Sequence, residues 1–341
     1  MILEKLLESY PKTQNKLERL LDLKPSTHTL LYGPKGVGKT NIALNLYKEI
    51  PQNDKLYIDL EDCRIEYKRD LANLNTLKIT HLILDNFTLD FPLPNFSNIT
   101  IIAKEPFVIP HFLNLEIPPI TFREFRDLHK SDDILRDFIR FGNLTKHNEN
   151  PVDFLKLFCE DKINFWILKT LILHSGKKVT SHQIFTKLKK EGKLSKDRFY
   201  SYCHFLENSK SLLWIEKFEH SFAPKKPYFW NFTLKNGLSF ERNFNILFEN
   251  MVLLELLYNF KEQVFYTDKL DFYLPNLSLG ILCMPFVQPQ ILEQTLSKIT
   301  KEREYCDRFL ILSLNTKEEG ENLGTPYEVR PFSDFALQNL E

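Results

Sequence analysis

The sequence lacks a surplus of charge of either sign, because 45 lysines and arginines balance 45 aspartates and glutamates. A global basic field for nucleic acid is therefore absent, although a local basic patch is compatible with this balance. Neither a Cys-x-x-Cys pair nor a His-Glu-x-x-His spacing occurs, so a zinc site and a disulfide framework are not expected. The five scattered cysteines are better interpreted as buried free thiols in a reducing compartment.

Long apolar runs are also missing. No stretch of about 18 consecutive apolar residues occurs, so we expect no membrane span and a cytoplasmic location. The amino-acid composition, with 43% hydrophobic and 26% charged residues, is ordinary for a soluble globular protein. At 341 residues the chain is long enough for two or three domains. Residues 1–24 predict an N-terminal helical segment that is broken at Pro11.

The strongest motif lies between an apolar segment, Thr29–Tyr32, and a helical segment, Asn41–Leu46. It fits Gly-x-x-x-x-Gly-Lys-[Ser/Thr] at every fixed position, and a preceding strand and a following helix are the context that this motif requires. The eight residues are Gly33, Pro34, Lys35, Gly36, Val37, Gly38, Lys39 and Thr40. We expect them to form a phosphate-binding loop (P-loop) for ATP or ADP.

The chemistry of phosphate binding explains this spacing. Glycines let successive backbone N–H groups turn toward phosphate oxygens, and the positive end of the following helix faces the same anion. The Lys39 ammonium would reach the β- and γ-phosphates, and the Thr40 hydroxyl would bind Mg²⁺. The predicted cofactors are therefore ATP and Mg²⁺.

A second element, His81–Asp85, is an apolar segment that ends in a carboxylate, which is the pattern of a Walker B strand. In that role Asp85 would complete the Mg²⁺ shell opposite Thr40. The alternative interpretation is an ordinary strand followed by an Asp/Asn turn.

Asn86 occupies the position where many ATPases of this class place the glutamate that activates water. An amide cannot accept a proton as a general base, so ATP hydrolysis should be slow or should use another carboxylate. The candidates for that role are Glu61, Asp62, Asp90 and Glu105. ATP binding need not be weakened.

Further strands alternate with helical segments up to about residue 150. Lys55–Leu60, Ile99–Ala103 and Leu113–Ile117 each have the character of a strand. This alternation predicts a parallel sheet with helices on both faces, in a P-loop nucleotide domain over residues 25–150. The polar, helix-breaking segment 147–151 would form the connection to the next domain.

Residues 151–238 predict a helical domain of the winged-helix type, because three helical segments precede a β-hairpin. The basic segment 177–198 carries eight basic and two acidic residues. It would contact DNA phosphates, or it is simply a solvated lysine-rich helix face. No arginine pair or glutamine/asparagine set on the third helix, which starts at Ser195, resembles a base-reading code, so sequence-specific recognition is not expected.

Residues 239–341 predict a small α/β domain. A helix over Asn245–Leu257 is followed by strands at Val264–Asp268, Leu270–Leu274 and Leu279–Met284. A helix from about Gln288 to Glu304 and a strand at Arg308–Ser313 complete the domain. This order of elements is worth comparing with nuclease-like folds.

Several stretches in this order resemble one family, the prokaryotic P-loop ATPases of the AAA_14 type that carry a C-terminal DUF4143 domain. They are the P-loop, Tyr57–Asp62, Pro119–Phe125, Lys226–Asn231 and Phe248–Leu256. The resemblance implies a RecA/AAA-like ATPase core, a winged helix and a restriction-endonuclease-like C-terminal domain.

The chain departs from the family pattern in three places. Asn86 replaces the usual glutamate, and Ala103–Pro106 replaces the usual Thr-Gly-Ser run, so a conventional polar sensor is not expected there. Glu255 and Asp271 match acidic positions of the nuclease-like domain, but the strand that follows them lacks Glu-x-Lys. Metal-dependent cleavage needs two or more carboxylates and a lysine, so we expect this domain to be inactive as a nuclease.

The leading hypothesis is an ATP-binding protein with weak or partner-stimulated hydrolysis, in which the bound nucleotide controls the winged-helix and C-terminal domains. In this hypothesis Asp85 and Asn86 occupy the catalytic positions, and an unidentified protein partner is expected. The alternative is a nucleotide-gated DNA-binding or scaffold module without significant turnover, which Asn86 favours.

Overall fold

The computed structural model describes residues 28–64, 74–142, 161–239 and 243–338, together with Pro11, Leu155 and Cys159. The chain divides into two compact units, Met1–Pro118 with Phe205–Ser211 and Pro119–His204 with Leu212–Glu341. Apart from Pro11, the predicted helical segment 1–24 lies outside the described residues, as does the predicted connection 147–151. The four predicted domains stay a prediction, because the two units are a division by compactness alone.

The first unit is built on a sheet of five parallel strands. These are β1 (Thr29–Tyr32), β2 (Lys55–Asp59), β3 (His81–Asp85), β4 (Asn98–Ile102) and β5 (Leu113–Glu116). They lie in the order β2-β3-β4-β1-β5, and every neighbouring pair is parallel. The carboxyl ends of all five strands therefore meet at one edge of the sheet. This confirms the predicted parallel sheet of an α/β fold.

The two faces of this sheet bury different side chains, because successive residues of a strand point to opposite faces. Leu30, Leu56, Leu82 and Ile101 belong to one apolar cluster, with each side chain fully buried. On the other face, α1 (Lys39–Leu46) packs against β3 and β4. This packing holds the helix that follows the P-loop over the strand ends.

Residues 161–239 form helices followed by a hairpin. The helices are α4 (Lys162–Leu173), α5 (Ser181–Glu191) and α6 (Lys196–Asn208), and they follow α2 (Phe122–Leu128) and α3 (Ile134–Phe141). The antiparallel strands β6 (Leu212–Ile215) and β7 (Lys226–Phe229) come next, and then α7 (Leu234–Leu238). The helix starts are fixed by side chains: Asp161 caps α4, and a Thr180/Gln183 capping box begins α5. The winged-helix assignment stays a prediction.

The C-terminal part of the second unit contains a second five-stranded sheet. Helix α8 (Phe244–Leu254) continues into a π-helical turn and precedes β8 (Phe272–Leu274), β9 (Leu279–Cys283), α9 (Pro289–Lys298), β10 (Arg308–Ser313), β11 (Glu318–Asn322), β12 (Thr325–Pro331) and α10 (Phe332–Leu337). The order is β11-β12-β10-β9-β8. The three central strands are parallel, and both edge strands are antiparallel to their neighbours.

Two expectations for this sheet differ from the structure. Val264–Asp268 forms only isolated bridges, such as Phe265 to Tyr273, rather than a strand. The hairpin of β11 and β12 is absent from the sequence prediction, because Glu318–Asn322 is polar and its side chains are largely exposed. The two residues of its turn, Leu323 and Gly324, both have positive φ angles, 50° and 90°, as a type I′ turn requires. In the parts of the chain that the structure describes, no helix has the length and apolar character needed to cross a bilayer.

Candidate functional site

The glycine loop lies at the carboxyl end of β1 and leads directly into α1. Gly33, Gly36 and Gly38 all have positive φ angles, between 85° and 137°. At Gly33 the space is also closed, because an added Cβ would lie 2.5 Å from the carbonyl oxygen of Ile117. A side chain there would push the loop away from β5, so glycine is required for both conformation and contact.

Lys39 folds back over this loop. Its Nζ donates to the carbonyl oxygens of Gly33 at 2.7 Å and Pro34 at 2.9 Å. Burial lowers the pKa of the Lys39 ammonium to about 8, the Asp85 carboxylate acts in the opposite direction, and Lys35 lowers it further. The ammonium is thus held inside the loop, in a place where an added anion would favour its charged form.

Thr40 and Asp85 are joined directly. The Thr40 hydroxyl donates to Asp85 Oδ2 at 2.7 Å, so the first turn of α1 contacts the end of β3. Tyr57, on the neighbouring strand β2, also donates to Asp85 Oδ2, at 2.9 Å. Asp85 is almost fully buried, and this burial raises its pKa, although the hydrogen bonds from Thr40 and Tyr57 oppose the rise. The loop threonine and the strand-end aspartate are therefore neighbours, and their roles as Mg²⁺ ligands stay a prediction.

Asn86 contacts two carboxylates at once. Its backbone N–H donates to Asp85 Oδ1 at 2.9 Å, and its side-chain amide donates to Asp59 Oδ1 at 2.8 Å. Asp59 is the register partner of Asp85 on the adjacent strand, so the two aspartates end neighbouring strands side by side. Asn86 has a left-handed φ of 55°, a conformation in which asparagine is enriched.

Tyr57 and Asp59 are site residues that the sequence interpretation does not single out. Part of their signal is present in the sequence, because they stand two apart on a predicted strand, so their side chains share one face. What the sequence could not supply is the order of the strands, which places β2 next to β3.

The four carboxylates that the sequence suggests as water-activating groups in place of a glutamate at position 86 are paired with other side chains or exposed. Glu61 pairs with Lys104 at 2.9 Å, and Asp62 accepts from the Arg64 guanidinium at 2.8 Å. Glu105 accepts from the Asn208 amide at 3.0 Å. The fourth, Asp90, is exposed. Three of these four carboxylates are therefore engaged with cationic or amide donors.

The oxygen atoms at this site fit a magnesium ion bound together with a nucleotide. Thr40 Oγ1 and Asp85 Oδ2 lie within one hydrogen bond of each other, at the start of a helix that favours anions. Mg²⁺ prefers one or two protein oxygens completed by phosphates and water. Within the described ranges, no group of three or more His, Cys, Asp or Glu residues could hold a metal ion by itself.

The basic segment 177–198 is largely exposed, but part of its charge is paired. Lys178 lies 3.4 Å from Asp268, and Arg198 forms an ion pair with Asp161, the capping residue of α4. The other basic side chains of the segment lie at exposed positions; they are Lys177, Lys187, Lys189, Lys190, Lys193 and Lys196. The segment retains a basic surface that is smaller than its composition suggests.

Glu255 and Asp271, the two acidic positions matched by the family resemblance, make different contacts. Glu255 is fully buried and accepts from the backbone N–H of Phe122 at 2.6 Å, at the first residue of α2. Its burial raises its pKa to about 8. Asp271 instead accepts from the backbone N–H of Cys283 at 2.8 Å. Both carboxylates thus have structural partners.

Comparison with known proteins shows distant likeness to ATPase structures. No protein-family model matches the chain, and no similar curated protein was found. The Walker-type ATPase PABY2304 of Pyrococcus abyssi is 12% identical, with a TM-score of 0.39 over 69% of this chain and 93% of that chain. Two Thermotoga maritima RuvB structures, one described as a Holliday junction branch migration motor and one a proline-to-glycine mutant, are each 18% identical. Each has a TM-score of 0.31 over 62% of this chain and 87% of that chain. At these identities and scores the likeness carries no information about ligand or partner.

Proposed function

We propose that the protein binds ATP with Mg²⁺ at the P-loop and hydrolyses it slowly to ADP and phosphate. The observation that carries this proposal is the 2.7 Å hydrogen bond between Thr40 and Asp85, which joins the P-loop helix to the end of β3. A chance Gly/Lys turn would have no reason to place a hydroxyl and a buried carboxylate together. The glycine conformations and the enclosed Lys39 ammonium support the same site.

In this proposal each residue has a separate task. Backbone N–H groups of the loop and the Lys39 ammonium bind phosphate oxygens, which moves the ammonium from the carbonyls of Gly33 and Pro34 toward the anion. Thr40 and Asp85 would hold Mg²⁺, which neutralises charge on the β- and γ-phosphates when it is bound. Asn86 cannot act as a base, so hydrolysis is slow or depends on another carboxylate.

A second candidate function is a nucleotide-gated DNA-binding or scaffold module without significant turnover. The observation that favours it is the set of six exposed lysines in segment 177–198, which would contact phosphates of DNA. We also propose that the protein belongs to the AAA_14 and DUF4143 family and has an inactive nuclease-like C-terminal domain. An unidentified protein partner and a cytoplasmic location are part of the same proposal. Only the turnover distinguishes the two candidates directly.

Replacing Asn86 with glutamate tests turnover. We expect steady-state phosphate release to be slow in the wild type and about tenfold faster in Asn86→Glu, because a carboxylate replaces an amide beside the attacking water. Asn86→Gln is the matched control, with the same chain length and no charge, and should not accelerate. Calorimetry with ATP and Mg²⁺ measures binding in all three proteins. Binding without any release in the wild type would favour the module without turnover, and no binding would contradict both candidates.

Removing the Tyr57 hydroxyl should affect magnesium more than nucleotide. In Tyr57→Phe, Asp85 loses one of the two donors to its Oδ2 atom, so its orientation toward the metal is less well fixed. Groups that orient a metal ligand typically contribute a factor of ten or more, and we expect about a tenfold higher Mg²⁺ requirement for ATP binding. Titration of Mg²⁺ at constant ATP measures it, and an unchanged midpoint would show that Tyr57 only packs against β3.

A further inference from the structure

The Asp59 carboxylate, at the end of β2, lies beside the proposed Mg²⁺ site at Asp85. We propose that Asp59 is the general base of ATP hydrolysis and that Asn86 is its positioning residue, an inference that rests on the ATPase function proposed above. Asp59 and Asp85 are register partners at the ends of adjacent parallel strands. Such strands lie about 4.8 Å apart, so the two carboxylates are close neighbours.

The face on which Asp59 lies follows from Tyr57. Tyr57 reaches Asp85 Oδ2 with its hydroxyl, and Asp85 Oδ2 also accepts from Thr40, so this face of β2 is directed toward the P-loop helix. Residues two apart on a strand share a face. The Asp59 side chain therefore lies on the same side of the sheet as the loop threonine.

The orientation of Asp59 is set by donors that all bind one oxygen atom. The Asn86 amide at 2.8 Å and the backbone N–H of Glu61 at 3.0 Å both donate to Oδ1. Among the described residues, no donor contacts Oδ2. A carboxylate held by one oxygen keeps the lone pairs of the other for a water molecule, which is the arrangement that a general base needs.

Asn86 is suited to positioning because it holds both aspartates. Its backbone N–H binds Asp85 and its side chain binds Asp59, while its left-handed conformation directs the two groups to different partners. Asn86 thus stands where the usual glutamate base would be, and it orients the Asp59 carboxylate instead. Glu61 and Asp62, which follow Asp59, are instead paired with Lys104 and Arg64.

The proposed step balances as follows. Asp59 Oδ2 accepts one proton from water while the water oxygen forms a bond to the γ-phosphorus. The bond from that phosphorus to the β,γ-bridging oxygen breaks, and its electron pair stays with ADP. The proton then passes from Asp59 to the released phosphate, which returns the carboxylate to its starting form.

The test introduces Asp59→Asn into the full-length wild type and into the full-length Asn86→Glu variant. Single-turnover hydrolysis of radiolabelled ATP at saturating Mg²⁺ measures the rate, and calorimetry measures ATP affinity. In the wild-type background we expect hydrolysis to slow by about a hundredfold, the lower end of general-base effects, with ATP affinity changed by less than about threefold. In the Asn86→Glu background, where a second base is present, we expect Asp59→Asn to slow hydrolysis by less than about threefold. Asp127→Asn is the control, because Asp127 is an exposed aspartate paired with Arg126, and this variant should hydrolyse ATP like the wild type.

Other outcomes overturn the assignment. Equal losses in the two backgrounds would mean that Asp59 only supports the structure. A raised Mg²⁺ requirement with an unchanged rate at saturation would make Asp59 a metal ligand instead. If the wild type binds ATP but hydrolyses it no faster than Asp59→Asn, the base assignment fails while nucleotide binding stands. Only the absence of ATP binding by the wild type would contradict the proposed function itself.

Discussion

Replacing Lys39 with alanine is expected to lower the affinity for ATP by about a hundredfold, which corresponds to about 2.7 kcal/mol. The loss has this size because a lysine on two phosphates makes charge-assisted hydrogen bonds, each of which contributes about 1.5–3 kcal/mol. In the structure the ammonium is already inside the loop, 2.7 Å from the Gly33 carbonyl oxygen. Nucleotide binding therefore needs only a local change of hydrogen-bond partner, and the wild type does not lose affinity to a large reorganisation.

Lys35 offers a matched control for this change. It lies in the same loop and carries the same charge, but its side chain is exposed. An exposed charge contributes little to binding, so Lys35→Ala should change ATP affinity by less than about threefold. Calorimetry with ATP and Mg²⁺ measures both variants, and thermal unfolding without nucleotide shows whether the lost bonds to Gly33 and Pro34 disturb the loop. An unchanged affinity in a folded Lys39→Ala protein would exclude the P-loop as the nucleotide site.

The parts of the site that could be predicted are those that depend on local sequence. The P-loop residues stand next to one another, and a strand followed by a carboxylate identifies Asp85 without knowledge of the fold. The identification of Tyr57 and Asp59 as site residues depends on the pairing of β2 with β3. The sequence does not reveal which strands are neighbours in the sheet. Their roles as partners of Asp85 and Asn86 appear only once the strand order is known.

The same limit explains the contacts of the C-terminal part. Phe122 and Glu255 stand 133 positions apart, yet the buried carboxylate accepts from the first N–H of α2. Helix starts leave such N–H groups without partners in the helix, so a distant carboxylate can satisfy one of them. Two strings of the family resemblance, Pro119–Phe125 and Phe248–Leu256, thus meet at a structural contact. The charged strand β11 was missed for a different reason, because apolar patterning does not detect an exposed edge strand.

A buried ionic cluster in the second unit leads to the second large prediction. Lys226 on β7 lies 2.8 Å from Glu249 and 4.0 Å from Asp271, and its side chain is only 9% exposed. Tyr228 also donates to Glu249. Burial acts to lower the pKa of Lys226, but the two carboxylates outweigh it and raise that pKa. One cation thus serves the buried Glu249 carboxylate and the partly exposed Asp271 carboxylate.

Lys226→Met is expected to destabilise the second unit by about 3–5 kcal/mol at pH 8, because it leaves the buried Glu249 carboxylate without its cation. Methionine keeps most of the buried volume, so the loss reports charge rather than a cavity. Lys225→Met is the matched control: its partner Glu216 is at the surface, with side chains about 40% exposed, and the expected loss is below about 1 kcal/mol. Denaturant unfolding followed by tryptophan fluorescence measures both, since all three tryptophans lie within residues 166–230.

The loss in Lys226→Met should depend on pH, with a sign set by Asp271. Burial and, secondarily, Glu249 raise the pKa of Asp271 to about 6 in the folded protein, above about 3.9 for an unfolded chain. The stability contributed by its protonated form is therefore present below about pH 4 and is lost as the pH rises through about 6. Without Lys226 the folded state should hold this proton more tightly still, so the difference between variant and wild type should be smaller at pH 5 than at pH 8. A pH-independent difference would mean that Lys226 stabilises the unit by packing of its aliphatic chain.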